Sequence, residues 1–173
     1  MINRKNSRAA SLTLVCFLAL GGMVGFAQRQ FKAIERGRPI VKVTLSGVVE
    51  REGERIPVDR AAAVNPGEIL DWVITSENQG TAPAHEYKAV GQIPSGTQLV
   101  AGSATYDGSA TVTYSIDNGK TFSTQPTIEE KQPDGSVRQV PAPASMYTQI
   151  RYEWSDPLAS DNKLNASYKL RVK

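Results

Sequence analysis

The chain has very few of the residues that build metal sites and nucleophilic catalytic centres. Its 173 residues include one cysteine, Cys16, and one histidine, His85. Zinc sites are usually built from several Cys and His ligands, and a Ser-His-acid centre needs a histidine held by an acid. No Gly-x-Ser-x-Gly segment is present. We therefore predict no metal, no cofactor and no enzyme. A hydrolase would require His85 in an exposed cleft beside an acid and a serine.

The amino terminus has the pattern of a targeting segment. Arg4, Lys5 and Arg8 precede an almost wholly apolar stretch over residues 9–27, which ends in Gly25-Phe26-Ala27. This pattern is typical of a secretory signal peptide that is cleaved after Ala27. The stretch is also about long enough to span a bilayer, so an uncleaved signal anchor is the alternative. We expect an extracytoplasmic protein that is periplasmic, at the cell surface or secreted, with membrane contact only through residues 1–27 if these are retained.

The charge of the chain is balanced once residues 1–27 are set aside. The whole sequence has 20 basic and 17 acidic residues, and residues 1–27 hold three basic residues and no acid, which leaves 17 of each. This balance argues against a nucleic-acid-binding surface. A small basic group lies within residues 28–38, which we interpret as a linker. No cysteine follows residue 27, so the predicted domain must rely on its apolar core.

Residues 39–173 predict one all-β domain. Apolar and polar residues alternate in several segments, which indicates strands with one face in a core and one in water. No segment after residue 38 shows helical periodicity, so we predict a single immunoglobulin-like β-sandwich. The apolar positions are Val41, Val43 and Leu45; Leu70, Trp72 and Ile74; Val112, Tyr114 and Ile116; Ile150, Tyr152 and Trp154; and Ala166, Tyr168, Leu170 and Val172.

Turn residues separate the predicted strands. Proline presets φ and glycine tolerates positive φ, so Pro-Gly suits the central positions of a type II turn. Three structural turns are predicted at Pro66 and Gly67, at Asn78 and Gly80, and at Pro94 and Gly96. Two polar hairpins are predicted to turn at residues 51–54 and 133–135.

The segment Ser115-Ile116-Asp117-Asn118-Gly119-Lys120-Thr121-Phe122 matches the pattern Ser-x-Asp-x-Gly-x-Thr-aromatic. It resembles the Asp-box hairpin of sialidases and other proteins, in which the Ser and Asp side chains bond the turn backbone. The segment occurs once, whereas a propeller repeats its strands in several blades. We therefore interpret Asp117 and Gly119 as structural turn residues and not as evidence of glycosidase activity.

The order of these turns is similar to that of one bacterial family. The matching motifs are Asn65-Pro66-Gly67-Glu68, an aromatic strand over 69–75 with Trp72, Asn78-Gln79-Gly80-Thr81-Ala82, Ile93-Pro94-Ser95-Gly96-Thr97 and Gly102-Ser103. Together they resemble the bacterial conserved-repeat domain known as domain of unknown function eleven. This resemblance implies an immunoglobulin-like surface module. The family's Asp shortly before Ile93 is replaced here by Gly91-Gln92.

These features favour a non-enzymatic structural or interaction module of the cell envelope or extracellular space, whose partner is an unknown protein or envelope polymer. The alternative is a carbohydrate- or calcium-dependent binding module. Calcium would use loop carboxylates, for which the candidates are Asp107, Asp117, Asp156 and Asp161. A sugar would stack on exposed aromatic rings, for which Tyr87, Tyr106 and Tyr147 are the candidates, because the other aromatics lie in alternating strands and are expected to fill the interior.

Overall fold

The computed structural model describes residues 37–173. The predicted signal peptide over 1–27 and residues 28–36 of the predicted linker lie outside this range. The described chain forms strands and one short 3₁₀ helix, Ala144–Met146. The strands are β1 (Val41–Arg51), β2 (Glu54–Pro57), β3 (Ile69–Asn78), β4 (Lys88–Gln92), β5 (Thr97–Leu99), β6 (Thr105–Tyr106), β7 (Ala110–Ser115), β8 (Thr127–Lys131), β9 (Val137–Pro141), β10 (Gln149–Trp154) and β11 (Lys163–Val172).

The strands form two packed antiparallel sheets and a separate hairpin. The larger sheet has the order β2-β1-β3-β11-β5, with β6 also paired to β11, and the smaller sheet has the order β4-β10-β7. Strands β8 and β9 pair only with each other among the described residues. The all-β sandwich predicted from the sequence is thereby confirmed. The first and last strands, β1 and β11, lie in the same sheet. In an immunoglobulin domain the first and last strands lie in opposite sheets.

The core lies between the inner faces of the two sheets. The predicted alternation is confirmed in β3, β10 and β11, whose inward residues lie in or against one core cluster, with Trp72 and Val172 half-buried at its margin. In β7, Val112 and Tyr114 are half-buried against the same cluster. The most deeply buried core residues include Val49, Ile74, Ile150, Tyr152, Ala166, Tyr168 and Leu170.

The prediction for β1 is wrong over its first half. Val43 and Leu45 lie on the same face as the core residue Val49, yet they are 55% and 50% exposed. The smaller sheet has three strands and the larger sheet has more. The inner face of β1 therefore extends beyond the area that the smaller sheet covers.

Two tyrosines tie the sheets together through hydrogen bonds to backbone carbonyls. Tyr152 of the smaller sheet donates its hydroxyl to the carbonyl oxygen of Ser167 in β11 at 2.6 Å. Tyr168 of the larger sheet donates to the carbonyl oxygen of Gln92 in β4 at 3.0 Å. Burial raises the pKa of Tyr168 to about 12 and raises the pKa of Tyr152 as well. Both hydroxyls therefore keep their protons, and their role as donors, at neutral pH.

The structure leaves no room for a side chain at Gly91, because the ring of Tyr168 occupies that space. A Cβ atom on Gly91 would lie 2.4 Å from Cε1 of Tyr168. The tyrosine ring of one sheet thus packs directly on the backbone of the other. This contact accounts for the glycine at position 91.

We predict that Gly91→Ala lowers the free energy of unfolding by about 1–3 kcal/mol, because the added methyl group overpacks the core against Tyr168. Denaturant unfolding measures the change. Gln92→Ala, an exposed position on the same strand, is the control and should change stability by less than about 0.5 kcal/mol. Equal stability of Gly91→Ala and wild type would contradict the predicted clash.

Candidate interaction surface

Three of the four predicted turn glycines adopt a left-handed backbone, and Gly80 does not. Gly67, Gly96 and Gly119 have φ angles of 89°, 87° and 85°. In two of these turns, the glycine backbone also forms a hydrogen bond with residues at the end of β11. The N–H of Gly67 donates to the carbonyl of Val172 at 2.9 Å, and the N–H of Lys173 donates to the carbonyl of Gly96 at 2.8 Å. Both turns thus hold the end of β11 in the larger sheet.

Asn78 is a fully buried clamp at one end of the sandwich. Its Oδ1 accepts hydrogen bonds from the backbone N–H groups of Ile40 and Gly80, both at 3.1 Å. Its Nδ2 donates to the carbonyls of Ala82 at 2.8 Å and Leu158 at 3.0 Å. The side chain therefore joins the entry to β1, the β3–β4 connection and the β10–β11 connection.

Gly80 brings the backbone of the β3–β4 connection against the segment before β1. A Cβ atom at this position would lie 2.2 Å from the carbonyl oxygen of Arg38. The neighbouring N–H of Thr81 donates to the same oxygen at 3.0 Å. The contact fixes where β1 begins.

The Asp-box segment forms a closed hydrogen-bonded loop. Asp117 accepts bonds from the Ser115 hydroxyl at 2.7 Å and from the Thr121 amide and hydroxyl at 2.9 and 2.6 Å. Gly119 donates its N–H to Ser115 Oγ at 2.8 Å. The bonds from Thr121, with a smaller effect from Ser115, lower the pKa of Asp117 to about 2. The carboxylate is engaged in shaping the loop.

The loop also covers the outer face of the smaller sheet. Thr113 and Ser115, which the alternating pattern places in water, are buried. The Phe122 ring lies beneath the guanidinium of Arg151, with 3.9 Å from Cζ to the ring centroid, and Arg151 is the register partner of Thr113. This cover explains why the polar face of β7 is not solvated.

Within residues 37–173, the side chains predicted as candidates for a metal site or a hydrolytic centre do not form one cluster. Among residues 37–173, no group of three or more His, Cys, Asp or Glu side chains is placed to hold a metal ion. Asp107 Oδ2 accepts bonds from the amide and side chain of Asn165 at 2.8 and 2.9 Å. His85 is exposed, and no hydrogen bond in the described part of the chain joins it to a serine or an acid.

The prediction of exposed aromatic rings is wrong for two of the three tyrosines. Tyr87 is half-buried, stacks on Trp154 with 5.6 Å between ring centroids, and donates its hydroxyl to Ser76 at 2.7 Å. Tyr147 is half-buried as well and stacks on Tyr114 at 4.8 Å. Tyr106 is 41% exposed. Alternation could not identify the partners of Tyr87 and Tyr147, since both lie just outside strands.

An apolar surface, the open strip, consists of the exposed Val43 and Leu45 of β1 and the half-buried Trp72 of β3. Leu45 lies opposite Ile74 of β3 in the register, and Trp72 lies opposite Gly47. A Cβ atom on Gly47 would lie 2.8 Å from the Trp72 ring, so the indole packs directly on the β1 backbone. The one sequence signal for this surface is Gly47, which interrupts the apolar series Val43, Leu45 and Val49.

A groove of about 510 Å³ borders the open strip. Its apolar lining comes from the strip residues Leu45 and Trp72 together with Gly47, Pro57 and Val58. Trp72 Nε1 is buried and has no hydrogen-bond partner among the described residues. A second groove of about 640 Å³, on the outer face of the larger sheet, is lined by charged side chains, of which Arg55 and Asp71 already pair at 3.5 Å.

The backbone beside the open strip is a free strand edge. Gly47 accepts a bond at its carbonyl from Val58 on the β2 side, and Ile40 accepts one from Gln79 on the β3 side. Backbone groups of successive residues in an antiparallel strand point to alternate sides. The N–H and C=O groups of Val41, Val43 and Leu45 therefore face away from β3, and within residues 37–173 no strand pairs with them there. We call these three backbone positions the free edge.

No protein-family model, no curated protein and no solved structure matches the chain. Over residues 37–173, no helix has the length and apolar character needed to cross a membrane.

We predict that Asn78→Ala lowers the free energy of unfolding by at least about 3 kcal/mol, because it leaves several buried backbone groups without partners. Denaturant unfolding is the measurement. Asn165→Ala is the matched control, since Asn165 is exposed, and it should cost less than about 1 kcal/mol. Similar costs for the two variants would contradict the clamp.

We predict that the stabilising effect of Asp117 is lost in acid. Its pKa is lowered from 3.8 to about 2 in the folded chain, so its contribution is present above about pH 4 and disappears as the pH falls through about 2. Melting temperatures of wild type and Asp117→Asn should therefore converge between pH 4 and pH 2. Comparing the two proteins removes the contribution of Glu68, whose pKa Arg51 lowers to about 2. A constant difference across this range would refute the prediction.

Proposed function

We propose that this chain is a non-enzymatic, exported module of the cell envelope or extracellular space that binds a partner through β1. The observation that carries the proposal is the combination of the open strip with the free edge. An unpaired strand edge binds an extended segment through backbone hydrogen bonds, and an adjacent apolar surface adds burial. Soluble proteins usually protect such edges, so an accessible one favours an interaction role.

The shape of this surface favours a macromolecular partner. Two of the three members of the open strip, Val43 and Leu45, are at least half exposed side chains along β1. Small-molecule sites are usually concave and enclose most of their ligand. A protein segment or another envelope polymer would instead lie along β1. The targeting pattern over 1–27 and the resemblance to a bacterial surface module support the same proposal.

Site-specific cross-linking in the native host tests the surface. A photoreactive phenylalanine derivative at Leu45 should give discrete higher-mass products. The matched control places the same group at Val137 in β9, which is 61% exposed, and should give none. A chain that gives no products from Leu45, or the same products from both positions, is not using this surface for binding.

Export is tested separately by fractionating the host and sequencing the amino terminus by mass spectrometry. We expect a chain that begins at Gln28 in the periplasm or medium, because Gly25-Phe26-Ala27 fits signal-peptide cleavage. Intact residues 1–27 in the membrane fraction would instead support the anchored form. A chain found in the cytosol would refute export.

A further inference from the structure

We infer that the partner of the free edge is a second copy of this chain, paired antiparallel through β1 about a two-fold axis at Val43. This inference rests on the proposed function, since it names the partner for the same surface. The three free backbone positions, Val41, Val43 and Leu45, are spaced evenly about Val43. An antiparallel pair of identical strands centred there places Val43 against Val43 and Val41 against Leu45.

The backbone pairing in this register uses the whole free edge. In an antiparallel ladder, residues that face the partner strand exchange both N–H···O bonds. Val43 would therefore exchange two bonds with its copy, and each Val41–Leu45 pair would exchange two more. Because every N–H and C=O of the free edge finds a partner, no position is left over.

The ends of the free edge also fit this register. The residue opposite Gly47 of one copy would be Pro39 of the other. Pro39 has no N–H to donate, and the carbonyl of Gly47 already accepts the Val58 bond at 2.8 Å. The pairing therefore ends at Pro39 and Gly47, because Pro39 lacks a donor and the Gly47 carbonyl is already bonded.

The side chains are compatible as well. On the inner face, Val43 meets its own copy and Val41 meets Leu45, so the exposed apolar groups cover one another. On the outer face, Lys42, the one charged residue between Val41 and Gly47, meets Thr44 of the other copy. Lys42 also lies opposite Glu77 of β3 in the register. No like charges are placed directly opposite each other, which is the arrangement that destabilises strand pairs.

The test uses charge substitutions at the axis. In Val43→Lys, the two-fold axis brings two lysines directly opposite each other, and in Val43→Glu it brings two glutamates together. Each variant alone should weaken self-association of the full chain by about tenfold or more, measured by analytical ultracentrifugation in mild detergent. An equimolar mixture should restore association, because residue 43 of one copy meets residue 43 of the other. Melting temperatures show that each variant folds.

Val137→Lys is the control, since it also replaces an exposed valine with a charged residue. Like the test variants, it leaves residues 1–36 unchanged. It should associate like wild type. A wild-type dimer that Val43→Lys does not weaken, or a mixture that fails to recover, overturns the pairing. So does a monomeric wild type in which the amides of Val41, Val43 and Leu45 are protected from hydrogen exchange, because another part of the chain then covers the edge.

The failure of this inference differs from the failure of the proposed function. If wild type is monomeric while Leu45 cross-links to a different molecule in cells, self-pairing is refuted and the interaction module stands. If Leu45 gives no cross-link in cells, both are refuted.

Discussion

The side chain of Asn78 is the constraint on which the rest of the sandwich depends. Two of the four connections that pass between the sheets, β3–β4 and β10–β11, return through the end of the molecule where this amide lies. They are also joined there by backbone bonds between Ala84 and Leu158, each 2.9 Å long. A buried amide has two donors and two acceptor lone pairs, and Asn78 uses all of this capacity on backbone groups. Because it also holds Ile40, the same side chain sets where β1 begins and therefore which backbone groups of β1 face outward.

The unequal size of the sheets determines where the sandwich is covered and where it is open. The two cross-sheet tyrosine bonds and the Gly91–Tyr168 contact hold the smaller sheet over β3 and β11. Three strands cannot also cover the first half of β1, so Val43 and Leu45 remain in contact with solvent. The opposite happens on the outer face of the smaller sheet, where the Asp-box loop covers polar residues that would otherwise be solvated. Both departures from simple alternation thus depend on whether another layer of the protein covers that face of the strand. They do not depend on the sequence of the strand itself.

This distinction explains how much could be predicted from the sequence. Period-two alternation identified the inward residues of β3, β10 and β11, because that pattern reports which face of a strand a residue occupies. It could not report whether a second layer lies over that face, which is why Val43, Leu45, Thr113 and Ser115 were assigned wrongly. Turn chemistry identified Asn78 and Gly80 as a corner. Their contacts with Ile40, Arg38 and Leu158 depend on long-range packing, and no local pattern carries that information.

The limits of the free edge matter as much as its exposure. An unprotected edge invites open-ended pairing, which leads to aggregation. Here the edge is bounded on one side by Pro39, which cannot donate, and on the other by the Gly47–Val58 bond. Among the strand pairings of residues 37–173, Val41, Val43 and Leu45 are the positions left on this edge, and one antiparallel strand satisfies all of them. A contact in which the same surface serves both copies is closed and does not propagate. The pairing proposed for the β1 edge therefore ends at defined residues on both sides, as a finite assembly requires.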